Sequence, residues 1–185
     1  MSGFEYVGTD NGDDGQRVRL YSRPATDAPL IALGDTVKLN GTADADGTPQ
    51  VVATAADSSV SVTGVVVGIV PDFTTEQLSI VGVPASTAAN LLVCDDPRAL
   101  YEVEAETTLA ITDVGSNIGI DYVATSVSGI LYTSNSTIKT STAATTATLP
   151  FQIVKLLEGA TSGTLGDRAL VRLNASTVAP GATGV

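Results

Sequence analysis

Three glutamates at alternate positions, Glu102, Glu104 and Glu106, have the spacing that comes nearest to chemistry in this chain. Alternate residues of a strand share a face, so neighbours in the row stand about 6.6 Å apart. That separation suits the paired carboxylates of a glycosidase. Such a pair also needs a pocket with aromatic platforms for sugar rings, and the chain has no tryptophan and only 4% aromatic residues. The plainer assignment is a carboxylate row facing water or a basic partner surface. Histidine is absent, which removes the commonest general base at neutral pH and the triads and zinc motifs built on it. Asp10, Asp13 and Asp14, and separately Asp44 and Asp46, offer hard oxygen ligands for calcium. Neither segment completes an EF-hand loop, and both read more simply as acidic turns. The pairs Gly64–Gly68 and Gly115–Gly119 belong to no phosphate-cradling motif. Cys94 is the single cysteine, read as a small buried hydrophobe beside Val93. These residues predict no catalytic group, no cofactor and no metal.

The element that carries the glutamates organises the chain. Leu91-Leu92-Val93-Cys94 is an apolar run, broken by Asp95-Asp96-Pro97 because proline lacks a ladder donor and restricts the residue before it. After Arg98-Ala99, strict alternation sets in. Tyr101, Val103, Ala105, Thr107, Leu109 and Ile111 fall on one face, with Glu102, Glu104, Glu106, Thr108, Ala110 and Thr112 on the other. Period two predicts a half-buried strand through Thr112, whereas a helix would scatter the glutamates around its axis. Gly64 to Val70, GVVVGIV, is a continuous apolar run that predicts a central strand buried on both faces and ended by Pro71. Further strands are expected at Val37–Leu39, Val51–Ala56, Leu149–Leu157 and Ala169–Asn174, and one helical turn at Asp72–Leu78. Many short strands between Gly/Asp/Ser turns argue for an all-β fold, a single compact β-barrel-like or sandwich domain. Its expected core is Val65, Val67, Ile69, Val103, Leu109, Ile153, Val171 and Leu173.

The predicted domain runs over residues 30–175. Within it, residues 125–148 hold thirteen serines and threonines in 24 positions, which predicts exposed loop with short edge strands. Residues 176–185 read as a flexible tail. Residues 1–29 read as an extended N-terminal arm with little core of its own, either disordered or laid along a neighbour. Its acidic, glycine-rich stretch at 10–16 precedes Arg17-Val18-Arg19-Leu20-Tyr21, whose two arginines share a face, and Pro24 and Pro29 follow. The net charge of −11 leaves no block of the chain with a basic patch, so nucleic acid is not an expected partner. No basic-then-apolar leader opens the sequence and no run of 18 apolar residues occurs in it, which argues against a signal peptide and a membrane span.

LLVCDDPRALYEVEAETTL at 91–109 resembles the segment of tailed-bacteriophage head decoration proteins, the structural cement family, in which an apolar strand meets Asp-Asp-Pro and then an aromatic-Glu-Val strand. GVVVGIV at 64–70, LPFQIVKLLE at 149–158 and ALVRLN at 169–174 agree in order, so the likeness spans roughly residues 30–175. The resemblance implies a non-enzymatic β-barrel-like subunit, a homotrimer on the outer capsid surface of a virion assembled in the host cytoplasm. It would bridge neighbouring copies of the major capsid protein and stabilise the DNA-filled head. Asp95, Asp96, Pro97, Tyr101 and Glu102 would support the fold in that segment. Arg17, Arg19, Leu20, Tyr21, Glu102 and Glu104 are the expected capsid or subunit contacts. A carbohydrate- or receptor-binding β module of a viral fibre or adhesin is the alternative.

Overall fold

The computed structural model describes residues 3–10, 12, 15, 17–54, 61–71, 81–123, 126–128, 131–159 and 162–174. The helical turn expected at 72–78, the tail at 176–185, Asp13 and Asp14 lie outside the described residues. The chain is all-β, with strands numbered in chain order. Five close into a barrel in the order β2 (Val18–Arg23), β5 (Pro49–Ala53), β4 (Thr36–Ala43), β6 (Gly64–Val70) and β8 (Ala89–Cys94). Six form a second sheet in the order β1 (Glu5–Thr9), β9 (Ala99–Glu104), β15 (Leu165–Leu173), β14 (Phe151–Glu158), β10 (Asn117–Asp121) and β13 (Thr137–Ala144). Among the described residues there are also two small pairs: β3 (Ile31–Ala32) with β7 (Gly82–Val83), and β11 (Ser126–Ser128) with β12 (Leu131–Thr133).

The six-stranded sheet curls back on itself. Its last strand, β13, meets the chain just after β9 through a parallel bridge between Ala105 and Ile138. There Glu106 donates its N–H to the Ile138 carbonyl at 3.0 Å, and the Thr140 hydroxyl donates to the Thr107 carbonyl at 2.8 Å. One core fills this curl and a second fills the barrel. The barrel core gathers Tyr21, Val37, Val51, Val66, Ile69, Leu91 and Val93. Val62, Val65 and Cys94, although borne by or next to barrel strands, join the core of the curled sheet with Val103, Leu109, Ile153, Val171 and Leu173. β6 is thus buried towards both cores for most of its length, as a central strand should be. Of the expected core residues only Val67 is partly exposed. The approach of β6 to β8 requires a glycine, since a Cβ on Gly64 would collide with the Cys94 carbonyl.

The N-terminal segment is not an arm, and the domain does not begin at residue 30. β1 pairs with β9 along one side of the curled sheet, and β2 is a barrel stave beside β8. Phe4 is 2% exposed. Its ring stacks on Phe151 at 4.7 Å and stands edge-on to Tyr101, which Phe151 and Tyr6 also meet edge-on. Half of the chain's eight rings are therefore in one cluster, where such pairs add about 0.5–1.5 kcal/mol each beyond burial. Apolar anchors too few to be noticed in the sequence suffice because they share one contact.

Two strand boundaries also differ from expectation. β9 ends at Glu104 rather than continuing to Thr112. From Ala105 the chain bonds the start of β15 at Asp167 and Gly166 and leans on β13, so Leu109 stays buried while Ile111 lies 76% exposed in a single 3-10 turn, Ile111–Asp113. β15 begins at Leu165, not Ala169. Gly166 allows this with φ +96 in the left-handed region, where a Cβ would strike the Leu109 carbonyl. The Ser/Thr-rich tract is more strand than loop. It supplies β11, β12 and β13, with Ile138 fully buried.

Candidate functional site

The Asp-Asp-Pro segment is the joint between the two sheets. Leu91 and Val93 alternate into the barrel, and Asp95, two residues on, follows them inward and has no exposed surface. Asp96 then caps the turn into β9, its carboxylate accepting the Arg98 N–H at 2.9 Å and its carbonyl accepting from the Ala99 N–H at 3.0 Å. The Tyr101 hydroxyl donates back to the Cys94 carbonyl at 3.1 Å and locks the joint from the other side. Burial pushes the Tyr101 hydroxyl well above the usual phenol range and the Cys94 thiol upward, so both stay protonated at neutral pH.

Antiparallel pairing of β2 with β8 sets Val18 opposite Cys94 and Tyr21 opposite Leu91. Period two then turns Arg17, Arg19 and Tyr21 towards Asp95. The Arg17 Nε lies 3.1 Å from one carboxylate oxygen, the Arg19 Nε 3.3 Å from the other, and the Tyr21 hydroxyl donates to that second oxygen at 2.9 Å. Burial, and then the Asp95 carboxylate beside it, raise the Tyr21 hydroxyl above its ordinary range. The arginine side chains are 43% and 54% exposed, while Asp95 is fully enclosed. Two cations facing water over one buried anion leave a net positive face. On the opposite face of the same strand Val18 and Leu20 are 37% and 46% exposed. Leu20 stands opposite Leu92, whose side chain covers Gly68.

Glu102 and Glu104 are on the other sheet, away from this group in the fold. Glu102 forms an ion pair with Arg168, whose Nε also donates to the Glu158 carbonyl at 2.6 Å. The basic surface that the glutamate row was expected to face is, for Glu102, supplied by the neighbouring strand β15. Glu104 opens onto a cleft of about 370 Å³ with Glu106, Thr108, Ser162, Asp167 and Arg168 around it. There the Thr108 hydroxyl donates to Asp167 at 2.6 Å and the Ser162 hydroxyl donates to its other oxygen. These two bonds hold the Asp167 carboxyl below the usual carboxylate range. The pairing of Glu102 with Arg168 removes it as a free partner for Glu104, and among the described residues the cleft lining carries no ring on which a sugar could stack.

The structure therefore separates the expected contact residues into two groups. Arg17, Arg19 and Tyr21 converge on Asp95, Leu20 lies on the reverse of that strand, and Glu102 and Glu104 belong to the cleft side of β9. The acidic turns serve the chain itself. Asp44 accepts from the Ser22 hydroxyl at 2.9 Å, Asp46 from the Thr48 N–H at 3.0 Å, and Asp10 pairs with Arg172 at 2.5 Å. Among the described residues no group of three acidic or cysteine side chains is placed to hold a metal ion. None of their helices is long and apolar enough to cross a membrane.

Two buried polar groups escaped the reading of the sequence. Arg23 is fully enclosed, pairs with Asp27 at 2.9 Å, and donates to the carbonyls of Asp27, Pro29, Pro84 and Thr87. An Arg with Asp four residues on, the Asp lying between Pro24 and Pro29, was the available signal. Asp35, also enclosed, accepts from the Ala32 N–H and from the hydroxyls of Ser134 and Ser136 about a hundred positions away, for which local sequence holds no signal. No family model matches the chain, and no curated protein and no solved structure matches it.

Proposed function

We propose that the protein is a non-enzymatic capsid decoration protein. In this reading it binds the outer surface of an icosahedral viral head as a homotrimer, bridging major capsid proteins and stabilising the DNA-filled particle. The support is the resemblance of residues 91–109 to the head decoration family, joined to one observation. That block is the joint from which both sheets of the chain extend, with Asp95 and Tyr101 buried in it. A cement protein needs a stiff body and exposed strand surface rather than a pocket, and many small contacts add by multivalency. The net-positive, partly apolar strand β2 is the surface best suited to such a contact, in a chain whose overall charge of −11 would otherwise repel acidic neighbours.

The test is sedimentation of the purified chain with undecorated heads of its cognate phage, followed by imaging of the decorated particles. Saturable co-sedimentation with density at three-fold positions on the outer surface is the expected result. Heads that sediment without the chain at micromolar concentration and low salt would overturn the proposal. The fibre or adhesin reading is not favoured by the cleft, whose described lining offers no aromatic platform.

A further inference from the structure

The outer edge of β2 is open where its side chains are most exposed. One edge of β2 pairs with β8 from Val18 to Arg23. On the other edge, among the described residues, the ladder holds the single pair Ser22–Gln50 with β5. β5 runs parallel to β2 and begins only at Pro49, after the turn whose Asp44 accepts from the Ser22 hydroxyl. Arg17, Val18, Arg19 and Leu20 lie beyond that point and are all exposed. Folded chains ordinarily protect such an edge with a bulge or an inward charge, as β1 does with its irregular register between Tyr6 and Gly8. The charges on β2 do not protect it in this way, because Asp95 draws both arginine side chains to one face and leaves an apolar pair, Val18 and Leu20, on the other.

From this edge we infer a strand-addition site for an extended protein segment in which acidic and apolar residues alternate. A strand laid beside Arg17–Leu20 places its alternate side chains over the two faces of β2. Those over Val18 and Leu20 must be apolar to cover them. Those beside Arg17 and Arg19 must carry carboxylates, since the two arginines outnumber Asp95. The same charge argues against a second copy as the occupant. Two-fold pairing of β2 with its own copy would set arginines against arginines on one face, and like charges directly across a ladder are destabilising. The inference stands without the head-binding reading, because its test uses neither heads nor a capsid protein.

The full chain is titrated into a fluorescent eight-residue peptide in which Glu and Val alternate. Controls are the Lys/Val peptide and two Glu/Val peptides with amides methylated at odd or at even positions. We expect saturable binding of the Glu/Val peptide, about tenfold or more weaker for Lys/Val, and several-fold weakening from 50 to 300 mM salt as the charges are screened. One methylated frame should lose binding and the other keep it, since only one row of amides faces β2. Leu20→Asp and, independently, Val18→Asp should weaken binding about tenfold, the loss expected when a charge displaces an apolar contact at an interface. Both positions are exposed, so the melting temperature should hold. No saturable binding at millimolar peptide, equal binding of Lys/Val, indifference to both methylation frames, or indifference to both substitutions would each overturn the inference. So would a dimer of the free chain in sedimentation equilibrium that Leu20→Asp dissociates, which would make the second copy the occupant.

Discussion

Asp95 is charged, enclosed and far in sequence from the residues that neutralise it, so its energetics are asymmetric. The two arginines stand half in water and would rehydrate without their partner, whereas the carboxylate cannot. Removing both cations by Arg17→Ala with Arg19→Ala leaves a buried anion held, among the described residues, by the Tyr21 hydroxyl. The expected loss is about 3–5 kcal/mol, the scale for an uncompensated buried charge. Asp95→Asn should cost less, about 1–2 kcal/mol, because the amide oxygen still accepts from Tyr21 and the freed arginines solvate. Adding Asp95→Asn to the double arginine variant should recover much of the deficit, a coupling that urea unfolding of the set would measure. If Asp95→Asn were the more damaging change, the carboxylate would be held by something other than these arginines.

At the scale of the element, the N-terminal strands act as core pieces. Phe4→Ala should cost about 3–5 kcal/mol, as loss of a buried ring does, and removal of residues 2–9 should lower the melting temperature at least as far. A truncated chain that melts with the full-length one would restore the picture of an external arm. Gly64→Ala should cost about 1–3 kcal/mol by forcing β6 away from the Cys94 carbonyl. The strands that could be read from sequence were those with a long or pure pattern: GVVVGIV in β6, the alternation of Tyr101 to Glu104 in β9, and LPFQIVKLLE in β14. β1 and β2 were not, because each is short and a glycine-rich acidic turn separates them. The alternation after Glu104 misled for the opposite reason. It continues in the letters to Thr112 while the backbone leaves its ladder at Ala105 to meet β13. The candidate site divides in the same way. That Arg17 and Arg19 share a face follows from period two, but the carboxylate beneath them lies 74 positions from Tyr21. Only the pairing of β2 with β8 brings it there.

At the scale of the molecule, the two sheets are tied by hydrogen bonds that cross between them, and a tyrosine at one of these ties makes the assembly sensitive to alkali. Tyr122, just past β10, donates to the Leu30 carbonyl beside the barrel at 3.2 Å and packs against the barrel core. Burial, then the nearby Asp35 and Asp27 carboxylates, push its hydroxyl up to about 12. Tyr21 and Tyr101 are raised too, first by burial. In the unfolded chain all three ionise near the ordinary phenol value of about 10. Above that pH the unfolded chain binds fewer protons than the folded one, so stability falls as pH rises. The contribution of these phenols is complete below about pH 10 and, for Tyr122, is lost as the pH climbs through about 12. Urea midpoints should therefore be level from pH 7 to about 8, decline slightly as the buried Cys94 thiol ionises in the unfolded chain at about 8.5, and fall more steeply above about 10, with phenolate absorbance appearing on unfolding. Growing negative charge on a chain already at −11 pushes in the same direction, and Tyr122→Phe isolates the share that belongs to Tyr122. That variant should lose about 0.5–1.5 kcal/mol at neutral pH with its hydrogen bond and show a shallower alkaline slope. A slope identical to that of the parent chain would mean that Tyr122 ionises as freely in the fold as out of it, and that the alkaline loss belongs to net charge and to the other buried groups, Tyr21, Tyr101 and Cys94.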